Sequence, residues 1–123
     1  VSDNWFVNAI VQISTTLSPE ELLGECQKIE TFLGRQTNMS KERYIDRTID
    51  IDILFYDKLV LNSPNLTIPH KYFHKRAFAL VPMLEIAPSF IHPYWNKSVE
   101  VLFDELENPE VVCLYGTRIG LEG

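Results

Sequence analysis

The stretch Arg47-Thr48-Ile49-Asp50-Ile51-Asp52-Ile53-Leu54-Phe55-Tyr56-Asp57 decides how the rest of the chain is read. Its period of two places Ile49, Ile51, Ile53 and Phe55 on one face and Asp50, Asp52, Leu54 and Tyr56 on the other, which predicts a strand with a core face. In extended backbone the Cα atoms of Asp50 and Asp52 would lie about 7 Å apart. Asp is disfavoured in strands, and two like charges on one face repel by up to about 1 kcal/mol when solvated. A divalent cation offsets that cost. Mg²⁺ takes hard oxygen ligands and is commonly held by one or two carboxylates together with substrate phosphates. The plainer reading is an exposed edge strand whose charges deter aggregation.

The neighbouring residues favour the cation. Arg47 precedes Asp50 by three residues, and Pro69-His70 and Lys75-Arg76 follow within one supersecondary unit. Cations beside a metal-binding carboxylate pair are what phosphoryl transfer requires, because the reaction is mostly positioning and charge neutralisation. His70 and His74 are four apart, a spacing that can bind zinc on a helix. No HExxH and no cysteine ligand accompany them, and Pro69 sets His70 at or before the helix start, so zinc is not expected. His92, between Ile91 and Pro93, reads as a structural loop residue.

Upstream, Trp5 to Ser14 alternates, with Trp5, Val7, Ala9, Val11 and Ile13 forming an apolar face, and predicts a strand. Ser18-Pro19-Glu20-Glu21 then opens a helix, with Ser18 as N-cap, Pro19 at the first helical position and Glu21 completing a capping box. Leu22, Cys26, Ile29 and Leu33 are its expected buried stripe and Gly34 its C-terminal cap. Arg35 to Asp46 is polar and aperiodic, a long loop of the kind that often carries function. Downstream, Asp57-Lys58 is expected to turn the chain into Leu59-Val60-Leu61 as a hairpin partner. Asn62 to His70 reads as loop. Lys71 to Ile86 reads as helix, interrupted near Pro82. Pro88 to Pro93 reads as irregular, Val99 to Leu106 as a short amphipathic helix, and Val111 to Tyr115 as a closing strand. Helices mixed with hairpin connections predict an α+β fold with a largely antiparallel sheet.

Composition bounds the function. At 123 residues, 46% hydrophobic and 23% charged, the chain reads as one globular domain spanning 1–123, with no apolar run long enough for a membrane span. Cys26 and Cys113 show no CxxC spacing, and no basic segment followed by an apolar one opens the chain, so a reducing, cytoplasmic setting is expected. The net charge of −6 argues against a nucleic-acid binder. It is unevenly spread: residues 35–76 carry eight basic against five acidic residues, net +3, and the remainder is −9. A basic middle in an acidic protein suits a small polyanion.

Three motifs in order, RTIDIDILFYD, LTIPH and HKRAFALVPMLEIAP, resemble the 6-hydroxymethyl-7,8-dihydropterin pyrophosphokinase (HPPK) family, with weaker similarity from about Asn4 to Leu106. The resemblance implies a ferredoxin-like antiparallel sheet with helices packed on it, and transfer of pyrophosphate from ATP to 6-hydroxymethyl-7,8-dihydropterin with release of AMP. It makes Asp50 and Asp52 ligands of two Mg²⁺ ions. Arg35 and Arg47 join them as catalytic residues. Gln27, Glu30, Arg35, Arg47, Ile53, Thr67, His70 and Arg76 match positions around ATP. Phe6, Asn8 and Phe78 match positions around the pterin. The partners it implies are these two small molecules, with no nucleic acid or membrane, in a monomer or weak dimer. The sequence departs from the family in two places. Thr37 and Tyr44 stand where several relatives carry a second loop Arg and a Trp. The family's opening strand, helix and strand also have no counterpart ahead of Val1, so an N-terminally incomplete domain is expected. A catalytically silent nucleotide-binding fragment and a different Mg²⁺-dependent phosphohydrolase are the alternatives.

Overall fold

Helix α1 spans Pro19–Asn38, and its start is written in the sequence. The Glu21 N–H donates to Ser18 Oγ at 3.2 Å, and the Ser18 N–H donates to Glu21 Oε1 at 2.9 Å, a reciprocal pair that satisfies two otherwise orphaned donors. The computed structural model describes residues 8–38 and 49–107, and for 35–38 it describes the backbone only. The described residues are α+β: three α-helices, a 3₁₀ turn and a two-stranded antiparallel sheet. They fall into two compact units, one within Ile13–Lys71 and one in which residues 8–12 accompany 72–107.

In the first unit α1 runs past its expected end. Gly34 lies inside the helix with an ordinary negative φ, and Arg35 continues it. Gly in a helix interior costs about 1 kcal/mol relative to Ala, too little to end a helix that Arg and Gln then extend. The expected stripe also needs correction: Cys26 is buried, and Leu22 and Leu33 are half-buried, but Ile29 is 48% exposed. Burial and neighbouring carboxylates act together on Cys26, a free thiol whose pKa is raised first by burial and then by Glu30 and Glu25.

The segment expected as a strand with a core face is extended without a ladder: none of the described residues pairs with 49–56. Ile49 is 51% exposed, while Ile51, Ile53, Phe55 and also Leu54 and Tyr56 are half-buried, so the alternation produces no clean core face. A turn follows as expected, with the Leu59 N–H donating to the Tyr56 carbonyl at 3.0 Å and Asp57 at φ 52°, a left-handed conformation that Asp tolerates. The hairpin, however, forms one step later. Strand β1 (Leu61–Asn62) pairs antiparallel with β2 (Thr67–Ile68), in the register Leu61 opposite Ile68 and Asn62 opposite Thr67. Ser63-Pro64-Asn65-Leu66 makes the turn, with Ser63 and Leu66 exchanging backbone hydrogen bonds of 2.9 and 3.4 Å. Pro at the second turn position presets φ, and this local signal is what turns part of the expected Asn62 to His70 loop into a hairpin. Leu66, Ile68 and Pro69 are buried, and the Ile68–Pro69 peptide is cis.

The second unit is helical. A 3₁₀ turn at Phe73–Lys75 precedes α2 (Ala77–Ile86), so the helix expected from Lys71 is broken at Arg76 rather than near Pro82. Arg76 is extended (φ −115°, ψ 106°), and its carbonyl accepts from Ala79 and Leu80 to start α2. Pro82 is held inside the helix, where only one backbone donor is lost and buried neighbours on both sides keep the turn packed. Helix α3 (Val99–Asp104) is capped by Ser98, whose Oγ accepts from the Val101 N–H at 3.1 Å. It packs on α2 and ends two residues before the expected Leu106. Phe73, Ala77, Leu80, Met83, Val99 and Leu102 make the core, each large side chain contributing about 1.5–3 kcal/mol by leaving water.

Residues 8–14 correct another expectation. They form no strand, and Val11 and Ile13 are 79% and 60% exposed. Alternation names the face a strand would bury, but a strand also needs a neighbour to exchange hydrogen bonds with, and none of the described residues supplies one. Phe6, the loop from 39 to 46, Arg47 and the closing strand from Val111 lie outside the described residues.

Candidate metal and nucleotide site

Three anchors, two of them from side chains, hold the Asp50–Tyr56 segment. The Ile51 N–H donates to Glu30 Oε2 on α1 at 2.6 Å. The Leu54 carbonyl accepts from the His70 N–H at 2.9 Å, and the Tyr56 hydroxyl donates to the Leu17 carbonyl just ahead of α1. A half-buried carboxylate accepting a backbone N–H makes a charge-assisted bond worth about 1.5–3 kcal/mol. Among the described residues, contacts from α1, from His70 and from Leu17 hold the segment extended.

Asp50 and Asp52 are both exposed on this segment. The Asp52 side chain is 56% exposed, and its Oδ2 lies 3.9 Å from Nε2 of His70, whose side chain is 21% exposed. Among the described residues no cluster of three His, Cys, Asp or Glu side chains forms a self-sufficient metal cage. The donor set is a pair of exposed carboxylates with hard oxygens, which fits Mg²⁺ completed by water and phosphate.

The first unit holds most of the other expected residues. Ile53 and Thr67 are half-buried, Thr67 on β2 with its hydroxyl 3.5 Å from Asn62 Oδ1. Gln27 is exposed on α1 and lines a shallow groove of about 550 Å³ with Gly24, Lys28, Thr31 and Phe32; neither aspartate nor His70 borders it. Arg35 is on the last turns of α1. In the second unit Arg76 is half-buried, its guanidinium carbon 5.5 Å from the ring centres of both Tyr72 and Phe78. Two aromatic faces orient that cation, each worth about 0.5–1 kcal/mol or more. Phe78 is half-buried at the start of α2, and Asn8 is exposed.

Sequence reasoning misses two of these arrangements. Glu30 alone reads as a solvated helix residue, yet it reaches across 21 positions to the backbone between the two aspartates. Tyr72 belongs to no motif, although its spacing of four from Arg76, with Phe78 two beyond, is a cue for stacking. His92, read as structural, is buried at 2% exposure and accepts from the backbone N–H groups of Tyr94 (3.2 Å) and Trp95 (3.1 Å) through Nδ1.

A carboxylate pair with an imidazole beside Asp52 is chemistry suited to binding a metal–phosphate group. Residues 1–88 match the profile of the 7,8-dihydro-6-hydroxymethylpterin-pyrophosphokinase (HPPK) family, and the chain belongs to that family. It is 43% identical over 88 residues to a 2-amino-4-hydroxy-6-hydroxymethyldihydropteridine pyrophosphokinase of Methylorubrum extorquens, covering 72% of this chain and 54% of that protein. The same-named protein of Haemophilus influenzae is also 43% identical over 88 residues, covering 72% and 53%. The folic acid synthesis protein fol1 of Pneumocystis carinii is 38% identical over 106 residues, covering 86% of this chain and 14% of that much longer protein. The chain thus spans about half the length of these pyrophosphokinases. Among the described residues no helix is long and apolar enough to cross a membrane.

Proposed function

We propose that this chain serves pyrophosphoryl transfer from ATP to 6-hydroxymethyl-7,8-dihydropterin, the activity named for its bacterial relatives. The observation that carries the reading is the exposed Asp50 and Asp52 pair with His70 3.9 Å from Asp52, in a chain of this family. The pterin hydroxyl oxygen attacks the β-phosphorus, the bond from that phosphorus to the α,β-bridging oxygen breaks, AMP leaves and the hydroxyl proton is lost to solvent. Asp50 and Asp52 are the residues that would hold two Mg²⁺ ions, which when bound neutralise the triphosphate and orient its oxygens. His70, 3.9 Å from Asp52, would donate an N–H to a phosphate oxygen. Arg76, stacked between aromatic rings, presents a guanidinium that needs little reordering to pair with phosphate. Arg35 and Arg47 complete the cationic set, Gln27, Ile53 and Thr67 lie about the nucleotide, and Phe6, Asn8 and Phe78 take the pterin. These roles rest on the positional match to the family. So do a single domain over 1–123, a ferredoxin-like sheet, a cytoplasmic setting and a monomer or weak dimer.

The test is direct. The chain, incubated with ATP, Mg²⁺ and the pterin, is expected to form AMP and pterin diphosphate in equal amounts, and Asp52→Ala to lower the rate by about 10²-fold or more. Near-normal turnover by that variant sinks the assignment. Phosphate release without pterin favours a hydrolase, and nucleotide binding with no transfer favours a silent nucleotide-binding chain.

A further inference from the structure

We propose that Glu30 is a positioning residue for the aspartate pair rather than a ligand of the nucleotide. Ile51 sits between Asp50 and Asp52, so whatever fixes its peptide plane fixes the directions in which both carboxylates leave the backbone. In a sheet, a neighbouring strand would do this, but among the described residues none pairs with 49–56. The Ile51 N–H instead donates to Glu30 Oε2 at 2.6 Å. The next backbone anchor is three residues on, where Leu54 accepts from the His70 N–H at 2.9 Å. These two backbone bonds bracket Asp52. Glu30 is half-buried, and among the described residues no group of three carboxylate, His or Cys side chains could share a metal. Its charge is therefore committed to the backbone and not to a third ligand position. Cys26, one turn earlier on the same helix face, is buried, so this part of α1 is seated and can serve as a fixed support.

The inference rests on the reading of Asp50 and Asp52 as the Mg²⁺ pair, and the experiment separates the two. Glu30→Gln keeps an oxygen acceptor for the Ile51 N–H, and Glu30→Ala removes it. Two quantities are measured on each: amide hydrogen exchange at Ile51, and calorimetric binding of α,β-methylene ATP across a MgCl₂ titration. Glu30→Ala is expected to exchange faster at Ile51 and to need about tenfold more Mg²⁺ for half-maximal binding, as loss of a group supporting metal ligands typically does. Its nucleotide affinity at saturating Mg²⁺ should stay within about threefold of wild type, and Glu30→Gln should resemble wild type throughout. Unchanged exchange at Ile51, a loss of nucleotide affinity that saturating Mg²⁺ does not restore, or Glu30→Gln as impaired as Glu30→Ala each overturns the proposal. If Glu30→Ala does not fold, Glu30→Gln decides alone: wild-type Mg²⁺ response supports the clamp and a loss of about tenfold overturns it. A wild-type chain that binds no Mg²⁺ with the analogue overturns the aspartate reading itself, a result distinct from wild-type binding that Glu30→Gln loses.

Discussion

His92 shows how much one side chain can commit a loop. Its Nδ1 accepts from Tyr94 and Trp95, its backbone N–H donates to the Lys97 carbonyl at 2.8 Å, and its carbonyl accepts from Asn96 at 2.8 Å. The ring packs 6.3 Å from Phe73 and 6.5 Å from Trp95 between centroids. An imidazole accepting two N–H bonds at Nδ1 carries its proton on Nε2, and a second proton would meet two donors. Burial first, and then the charge of His74, lower its pKa from 6.5 to about 4. Above pH 6.5 both folded and unfolded chains therefore hold His92 neutral and its contribution is intact. As the pH falls from 6.5 toward 4 the unfolded chain takes up a proton that the folded chain refuses, and stability drops by about 3 kcal/mol. Below pH 4 this group adds nothing further. His74, lowered by burial and then by Lys75, acts in the same direction. His92→Asn, which keeps an acceptor near the Nδ1 position and cannot titrate, is expected to flatten denaturation midpoints between pH 6.5 and 4. An unchanged slope would assign the acid sensitivity elsewhere. That His92 is structural is legible from its place between Ile91 and Pro93, but its partners are backbone donors that no pattern of side chains announces.

Elements are legible where a local device specifies them and illegible where a distant contact does. The start of α1 is set by Ser18 and Glu21 within four residues, and α3 begins at Ser98 for the same reason. The end of α1 is expected at Gly34, yet the helix runs to Asn38. Gly34 resembles a C-terminal cap, but a cap of that kind needs a left-handed residue, and no described glycine has positive φ. The extended Asp50–Tyr56 segment reads as a sheet strand because alternation reports extended backbone, whereas its anchors, Glu30 and Leu17, are 21 and 39 positions away. Gly34 offers a clean check at this scale. A Cβ built there meets no atom within 4 Å, so Gly34→Ala adds helix propensity without a clash. It is expected to stabilise the chain by about 0.5–1 kcal/mol, read as a raised denaturation midpoint. Were Gly34 a left-handed cap, the same change would destabilise, so the sign alone distinguishes the two geometries.

Across the whole chain the charge is unevenly spread. The aspartate pair sits within the segment from 35 to 76 that is net +3, while the rest of the chain carries −9. On the proposed function, a triphosphate would engage only the nearby cations and its Mg²⁺ would reduce the charge to be matched, so the long-range field of the acidic remainder would be a modest penalty that salt screens. A duplex would instead have to lie along a surface whose net charge repels it, and each phosphate left without a cation lowers the salt slope of binding by about one unit. Two measurements exploit this contrast. Affinity for Mg²⁺ with α,β-methylene ATP is expected to fall by less than about tenfold between roughly 50 and 200 mM salt, because few fixed cations meet the ligand, against the ~10³-fold or greater loss typical of a protein that neutralises many phosphates. Random-sequence duplex DNA at about 150 mM salt is expected to bind more weakly than the ~10⁻⁴ M that marks even non-specific DNA-binding proteins. Micromolar DNA affinity with a steep salt slope would mean that the basic residues form a continuous track, and would overturn the assignment of the basic middle to a small polyanion.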